Sequence, residues 1–354
     1  MSAQQANVSI TGKVRQPWLD YVRLASIFLV ILYHTPPRVP LVDDAVVLNL
    51  RVPVFFLVSG FLYSDRWRSF GAYLKHRSKQ ILVPYTTFFI LFYALWLCQG
   101  THTAPDGHAI AWWVPLQEWA WGYPREVCGP FWYIACLFTM QMLFYWMQRF
   151  IARRWLLPVC LAISLGYMFV AWLVDTDLYM SFWNFTHAIQ YLPFYAMGNC
   201  LKQPIERLRF TSVQQGLLLT VLAVASVVIM ALSLPTPGHQ EWTYGMAKVL
   251  AGAMIIPLYL CIGKWVAGRL GRKTVVELVV VNGTVYLAMQ NYFIGFIRNV
   301  IIHFWGHEAI SQMFWWRPAI ALVVMVAILP FAWLIHYHAP WMLGKGRLFE
   351  KVTH

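Results

Sequence analysis

Apolar segments of membrane-spanning length recur along nearly the whole chain, and this feature constrains the fold more than any other. A transmembrane helix needs roughly 17–25 mostly apolar residues. The bilayer core offers no water to unpaired backbone groups, so such segments cross it as helices. Of the 354 residues, 60% are hydrophobic and only 12% are charged, against about 25% charged residues in soluble domains. The sequence therefore predicts an all-α fold, a polytopic helical membrane bundle.

Hydropathy predicts about ten transmembrane helices, with no room for a soluble domain between them. They lie near 17–35, 45–64, 80–98, 130–148, 155–174, 183–201, 213–234, 242–263, 276–297 and 317–337. We therefore expect residues 1–354 to form a single transmembrane domain with short tails at 1–16 and 338–354. The longest connection, 99–129, is rich in tryptophan and has room for a short re-entrant or interfacial segment.

The distribution of the basic residues predicts an orientation in the membrane. With the N-terminus inside, the cytoplasmic segments hold 20 of the 27 lysines and arginines, and the external loops hold four. This asymmetry follows the positive-inside rule, so both termini are expected in the cytoplasm and the chain in the inner or plasma membrane. The net charge of +13 then reflects topology and attraction to the lipid bilayer. No basic motif typical of nucleic-acid binding is present.

The first predicted span carries two charged side chains, Asp20 and Arg23, and a histidine, His34. Asp20 and Arg23 are three residues apart, so they are neighbours on a helix surface and can pair. Eleven residues make three helical turns plus about 20°, which places His34 on the same face as Arg23, roughly 16 Å further along. Ionisable groups inside a membrane are functional candidates. The alternative is that Arg23 and His34 are unrelated interfacial residues. Arg23 would then snorkel to the inner headgroups, and His34 would lie at the outer ones.

The second predicted span begins close to Arg51, which should lie at a depth similar to that of His34 on the adjacent helix. That depth would bring a cation close to the imidazole of His34, the side chain that serves most often as an acid or base. Ser59 and Gly60 are a small pair deeper in this span. Such a pair allows close approach of either another helix or a ligand.

Five basic residues stand in the connection that precedes the third span: Arg66, Arg68, Lys75, Arg77 and Lys79. They could merely fix the orientation of the chain. They could also bind a phosphorylated cofactor, since arginine and lysine pair strongly with phosphate.

Four segments together resemble acyltransferase family 3, the integral-membrane proteins that move acyl groups, usually acetyl from acetyl-CoA, onto glycans and related acceptors. The segments are DYVRLASIFLVILYH at 20–34, VPVFFLVSGFL at 52–62, RSKQILVPY at 77–85 and, more weakly, GPFWYIACLF at 129–138. Gln80 stands where many members have a second arginine, three residues after the one that corresponds to Arg77.

The resemblance implies an O-acyltransferase that uses acetyl-CoA from the cytoplasm and a glycan or other hydroxyl acceptor at the outer face. His34 becomes the catalytic histidine. The second catalytic candidate is Arg51, since acyl transfer needs a group that stabilises the developing oxyanion, and either Arg51 or a backbone N–H of a span could serve. Arg23, Arg77 and Lys79 become candidate contacts for the acyl-CoA donor. Three further residues are expected to orient the site: Asp20, Ser59 and Trp132.

The alternative is a non-enzymatic exporter or flippase of a polysaccharide or lipid-linked sugar. Such transporters often contain inverted repeats or paired broken helices, and the sequence shows neither. His303 and His307 lack a third strong ligand nearby, so no metal is expected. Cys98 and Cys128 both fall toward the outside, where they either pair or remain free. The acceptor, the acyl chain, O- versus N-transfer and the oligomeric state stay open.

Overall fold

The computed structural model describes residues 16–39, 42–43, 48–64, 67, 69–100, 102–104, 107–173, 181–210, 212–233 and 241–346. Residues 1–15 of the predicted N-terminal tail, residues 347–354 of the predicted C-terminal tail, Arg66 and Arg68 lie outside these ranges. The helices are α1 Pro17–His34, α2 Leu48–Phe61, α3 Phe70–Cys98, α4 Val114–Trp121, α5 Arg125–Cys128, α6 Trp132–Phe150, α7 Arg153–Leu173, α8 Phe185–Cys200, α9 Lys202–Arg207, α10 Val213–Leu232, α11 Glu241–Leu270, α12 Thr274–Val281, α13 Gly283–Trp305, α14 Glu308–Gln312 and α15 Arg317–His338.

The predicted fold class is confirmed, since the chain is an all-α helical membrane bundle. Over the described residues, nine of the ten predicted spans each correspond mainly to one helix, and the ninth, 276–297, covers both α12 and α13. Among the described residues, six helical segments are long and apolar enough to cross a membrane: Phe70–Cys98, Arg125–Phe150, Arg153–Ala171, Val213–Leu232, Gly245–Leu270 and Phe314–His338. The count of ten crossings stays a prediction.

The third predicted span differs from the structure at its start, because α3 begins at Phe70 and runs for 29 residues. The sequence had suggested that the basic residues from Lys75 to Lys79 stand in a loop. In the structure they stand on the first turns of α3. Hydropathy marks only the apolar part of a helix. The polar first turns are held by packing: Tyr73 is fully buried, and its hydroxyl donates to the Gln141 carbonyl on α6 at 3.3 Å.

The structure divides into two compact units, and the first comprises the described residues within 1–63 and 193–332. Within it α1 is central and contacts α2, α11, α12 and α13. The approach to α11 is close because Gly263 faces Val22 of α1, where an added Cβ would stand 2.4 Å from the valine Cγ2.

A pair of glycines brings α2 and the end of α8 together in the same unit. A Cβ on Gly60 would stand 1.9 Å from the carbonyl oxygen of Tyr195, and one on Gly198 would stand 1.9 Å from that of Leu57. The backbones of the two helices are therefore in direct contact. Of the two interpretations of the small pair in α2, the structure shows helix packing at Gly60.

The second unit comprises the described residues within 64–192 and 333–354. Its predicted long connection contains the short helix α4, which ends at Gly122 with φ +92°. The loop is fastened to its surroundings, because the Tyr85 hydroxyl donates to the Trp119 carbonyl at 2.8 Å and the Asn184 amide donates to the Gly122 carbonyl at 2.7 Å. Cys98 and Cys128 are both free thiols.

Candidate active site

His34 is the last residue of α1 and is half-buried. Because α1 runs without interruption from Pro17, Arg23 and His34 lie three turns apart on one helix, as the spacing predicted. The imidazole meets the ring of Tyr33 edge-on, with the centroids 5.4 Å apart and the planes at 86°.

Arg51 reaches the same place from α2. Its side chain is buried, and its Cζ lies 3.5 Å from the centroid of the Tyr33 ring. Arg38, from the loop after α1, approaches the same ring with its Cζ at 4.5 Å and donates to the Tyr33 hydroxyl. A ring face attracts cations, so Tyr33 holds two guanidiniums beside the imidazole.

Sequence reasoning placed Arg51 near His34 but missed Tyr33 and Arg38. The available signal was an aromatic residue directly before the histidine and a cation four residues after it. Together the four side chains form a base candidate surrounded by positive charge. That arrangement suits a reaction in which a hydroxyl loses a proton and an oxyanion develops.

The C-terminal end of α1 is capped by a residue that is distant in sequence. Arg317 donates from Nε to the Thr35 carbonyl at 2.9 Å and from Nη2 to the Leu32 carbonyl at 3.0 Å. The last carbonyls of a helix have no partner within it, so these bonds satisfy groups next to His34. Arg317, at the start of the last predicted span, is only 2% exposed.

Arg23 is half-buried and contacts a break between two helices. Its Nη2 donates to the Val280 carbonyl at 3.3 Å, near the end of α12 and just before Asn282, where the helix stops and α13 begins. A cation at a helix C-terminus is favoured by the helix dipole. Asp20 is buried one turn earlier on α1, and its pairing with Arg23 stays a prediction.

Arg77 and Lys79 lie in the second unit, on the polar first turns of α3, and both are half-buried. Arg77 donates from Nη1 to Gln80 Oε1 at 3.1 Å, and its Cζ lies 5.3 Å from the Tyr73 ring centroid. Gln80, which replaces the family's second arginine, therefore contacts Arg77. The Lys79 carbonyl is covered by Gly344 of the C-terminal turn, where a Cβ would stand 2.0 Å from the oxygen.

The two remaining candidates are half-buried residues of helices. Trp132 is the first residue of α6 in the second unit, with its ring centroid 5.0 Å from that of His187 and 6.4 Å from that of Tyr191. Ser59 lies on α2 in the first unit, directly before Gly60. Their roles as orienting residues stay predictions.

A comparison with known families identifies the chain. The family described as an acyltransferase domain matches residues 16–337, which is nearly the whole sequence. The chain belongs to acyltransferase family 3. This acyltransferase-3 protein is a multi-pass membrane acyltransferase. No curated protein and no solved structure matches it. Within the described ranges, no group of three or more histidine, cysteine, aspartate or glutamate side chains is placed to hold a metal ion.

Proposed function

We propose that this acyltransferase-3 protein transfers acetyl from cytoplasmic acetyl-CoA to a hydroxyl of a carbohydrate or glycan at the outer face of the cell membrane. One observation carries the proposal: the half-buried His34 lies at the end of α1, beside the Tyr33 ring on which Arg51 is stacked. Acyl transfer to a hydroxyl requires a base that takes the proton and a cation that stabilises the oxyanion. His34 and Arg51 supply these two groups, and both contact Tyr33.

His34 acts as the general base. Its neutral imidazole takes the proton from the acceptor hydroxyl while the hydroxyl oxygen attacks the thioester carbonyl. The carbonyl oxygen becomes an oxyanion, which the Arg51 guanidinium stabilises. The tetrahedral intermediate then collapses, the carbon–sulfur bond breaks, and the imidazolium returns its proton to the departing thiolate of coenzyme A. A histidine that first accepts the acetyl group itself would need the same neighbours.

Arg77 and Lys79 contact the phosphates of the donor. Charge-assisted bonds to phosphate are about twice as strong as neutral hydrogen bonds. The Arg77 side chain is already oriented by Gln80 and by the Tyr73 ring, so less rotamer freedom is lost on binding. On α1, Arg23 is the residue that contacts the acyl-CoA molecule.

The proposed orientation rests on the distribution of charge along the sequence. With both termini in the cytoplasm, the basic segment that contains Arg77 faces acetyl-CoA, and the end of α1 that contains His34 lies toward the outer face. The acceptor is then a molecule of the cell surface or periplasmic space.

An exporter or flippase of a polysaccharide or lipid-linked sugar is the second candidate, and one observation favours it. The ninth predicted span is a discontinuous helix, broken at Asn282, with Arg23 bound to the carbonyl of Val280 just before the break. Broken helices inside membranes bind ions and substrates in transporters. A carrier of this kind needs no thioester.

The test combines donor binding with a chemical readout. Purified protein in lipid nanodiscs is titrated with coenzyme A by calorimetry, and surface glycans from cells with and without the gene are compared by mass spectrometry. The proposal predicts saturable coenzyme A binding and an acetyl group that is present only when the gene is present. Glycans that are missing from the surface, with no coenzyme A binding, would favour the exporter.

A further inference from the structure

A buried ion pair fastens the loop that follows His34. Arg317 donates from Nη2 to Asp43 Oδ1 at 2.6 Å, and both side chains are almost inaccessible, at 3% and 0% exposure. The second carboxylate oxygen of Asp43 accepts from the backbone N–H of Val39 at 2.7 Å. The carboxylate thus links the loop after α1 to the first residue of α15.

The same guanidinium also holds the end of α1. It donates to the carbonyls of Leu32 and Thr35, which flank Tyr33 and His34 in sequence. The Thr35 hydroxyl adds a bond of 2.9 Å to the Ile31 carbonyl. A planar guanidinium with several donors suits such a fork of acceptors, whereas the lysine ammonium is a point charge on a flexible stem.

Stability alone is a weak reason for a pair like this one. Taking two charges out of water costs as much as their attraction gains, and apolar replacements of equal volume are often as stable. The position of the pair gives a better reason. Arg317 donates to the carbonyls of Leu32 and Thr35, and these residues stand before and after the candidate base, His34. The effect of the pair is to fix the turn from which both the Tyr33 ring and the His34 imidazole project.

We propose that Arg317 and Asp43 are positioning residues, which hold the last turn of α1 so that the imidazole of His34 keeps the orientation that acyl transfer requires. The proposal rests on the proposed function, since it assumes that His34 acts on the acceptor. Misplacement of a reacting group by about 1 Å can cost on the order of 10²-fold in rate. Loss of the cap therefore lowers the rate without removing any group that contacts the substrate.

Two conservative variants test this, Arg317→Lys and Asp43→Asn. Arg317→Lys keeps the charge but loses the fork, and Asp43→Asn keeps an oxygen acceptor but loses the charge. Truncation to alanine is avoided because it removes the polar side chain altogether, which leaves buried donors or acceptors without any hydrogen-bond partner. The matched control is Arg298→Lys, the same change at an exposed arginine of α13. Each variant is first checked for a monodisperse elution profile in detergent.

Two readouts separate positioning from general damage. The first is kcat against the KM for acetyl-CoA. The second is the rate at which diethyl pyrocarbonate modifies His34, followed by peptide mass spectrometry, with the exposed His303 as an internal reference. We expect kcat to fall about 10- to 100-fold with KM for the donor unchanged. We also expect His34 to be modified several-fold faster, because its turn frays, while His303 reacts as before.

Three outcomes decide between the claims. Folded Arg317→Lys and Asp43→Asn variants with normal kcat and normal His34 reactivity would overturn the positioning role. A fall in kcat with unchanged His34 reactivity would overturn it as well, because the effect would not pass through the histidine. A wild-type protein that transfers no acetyl, in which the variants still expose His34, would overturn the proposed function and leave the fastening of His34 supported.

Discussion

The guanidinium of Arg51 is stacked on the ring of Tyr33, with 3.5 Å between its Cζ and the ring centroid. Tyr33 directly precedes His34 on α1, so the contact joins two helices at the candidate base. Cation–π contacts are worth about 2 kcal/mol or more when they are desolvated, which is enough to hold one rotamer of a buried arginine. The positive charge is therefore in place before an oxyanion forms.

Replacement of Arg51 should slow acyl transfer while leaving the donor bound. In Arg51→Gln the cation is lost, and removal of one oxyanion-stabilising donor typically costs about 10²- to 10³-fold in kcat. The rate is measured at saturating acetyl-CoA in nanodiscs. Arg298→Gln, at an exposed arginine, is the control and should react at the wild-type rate. If the kcat of the Arg51→Gln protein is within about threefold of the wild-type value, another group stabilises the oxyanion.

The donor contacts make a separate prediction. Arg77→Ala should weaken coenzyme A binding by roughly 10- to 150-fold, the equivalent of about 1.5–3 kcal/mol for a lost charge-assisted bond. Lys79→Ala should have a smaller effect, because an ammonium gives no bidentate contact. Isothermal titration of detergent-purified protein measures both. Wild-type affinity in both variants would move the phosphate contacts away from α3.

Much of this arrangement could be predicted from the sequence. Apolar length located the long apolar helices, and the 3.6-residue repeat placed Arg23 and His34 on one face of α1. Arg51 could be expected near His34 because a short connection makes the first two helices neighbours. These features depend on local pattern and on chain connectivity, which a single sequence contains.

Contacts between distant residues could not be predicted in this way. Arg317 and Asp43 are 274 positions apart, and no periodic pattern indicates that they meet. The polar first turns of α3 were missed because hydropathy does not detect a helix that is held by Tyr73 packing against α6. The break at Asn282 had a signal, the Asn-Gly pair at 282–283 that is typical of turns, but the apolar residues on both sides masked it.

The crossing of α2 and α8 predicts a loss of stability on a minimal change. Gly60→Ala and Gly198→Ala each place a methyl group 1.9 Å from a backbone carbonyl oxygen, which cannot move aside as a side chain would. Overpacking of this kind costs about 1–3 kcal/mol. Thermal unfolding in detergent, followed by tryptophan fluorescence, should show a lower midpoint for both.

Gly166→Ala is the control for that experiment. Gly166 is an exposed glycine inside α7, and a Cβ there meets no atom within 4 Å. Its midpoint should stay the same or rise slightly, because alanine is a better helix former by about 0.5–1 kcal/mol. Equal midpoints for all three variants would show that α2 and α8 do not cross this closely.

The proposed orientation predicts the labelling of the loop after α3. In a Cys98→Ser background, Ala109→Cys should react with a membrane-impermeant maleimide added to intact cells, because Ala109 is exposed and the loop is expected outside. Labelling only after the membrane is opened would reverse the orientation, and it would place the basic turns of α3 away from cytoplasmic acetyl-CoA.

The measurement that tests the central claim most directly is acetyl transfer by His34→Gln. Glutamine keeps the polarity and the approximate size of histidine, but it cannot take up a proton at neutral pH. The variant should lose glycan acetylation while it keeps its expression and its coenzyme A affinity, and the exposed control His303→Gln should match wild type. Near-normal acetylation by His34→Gln would contradict the catalytic assignment and return the exporter to first place.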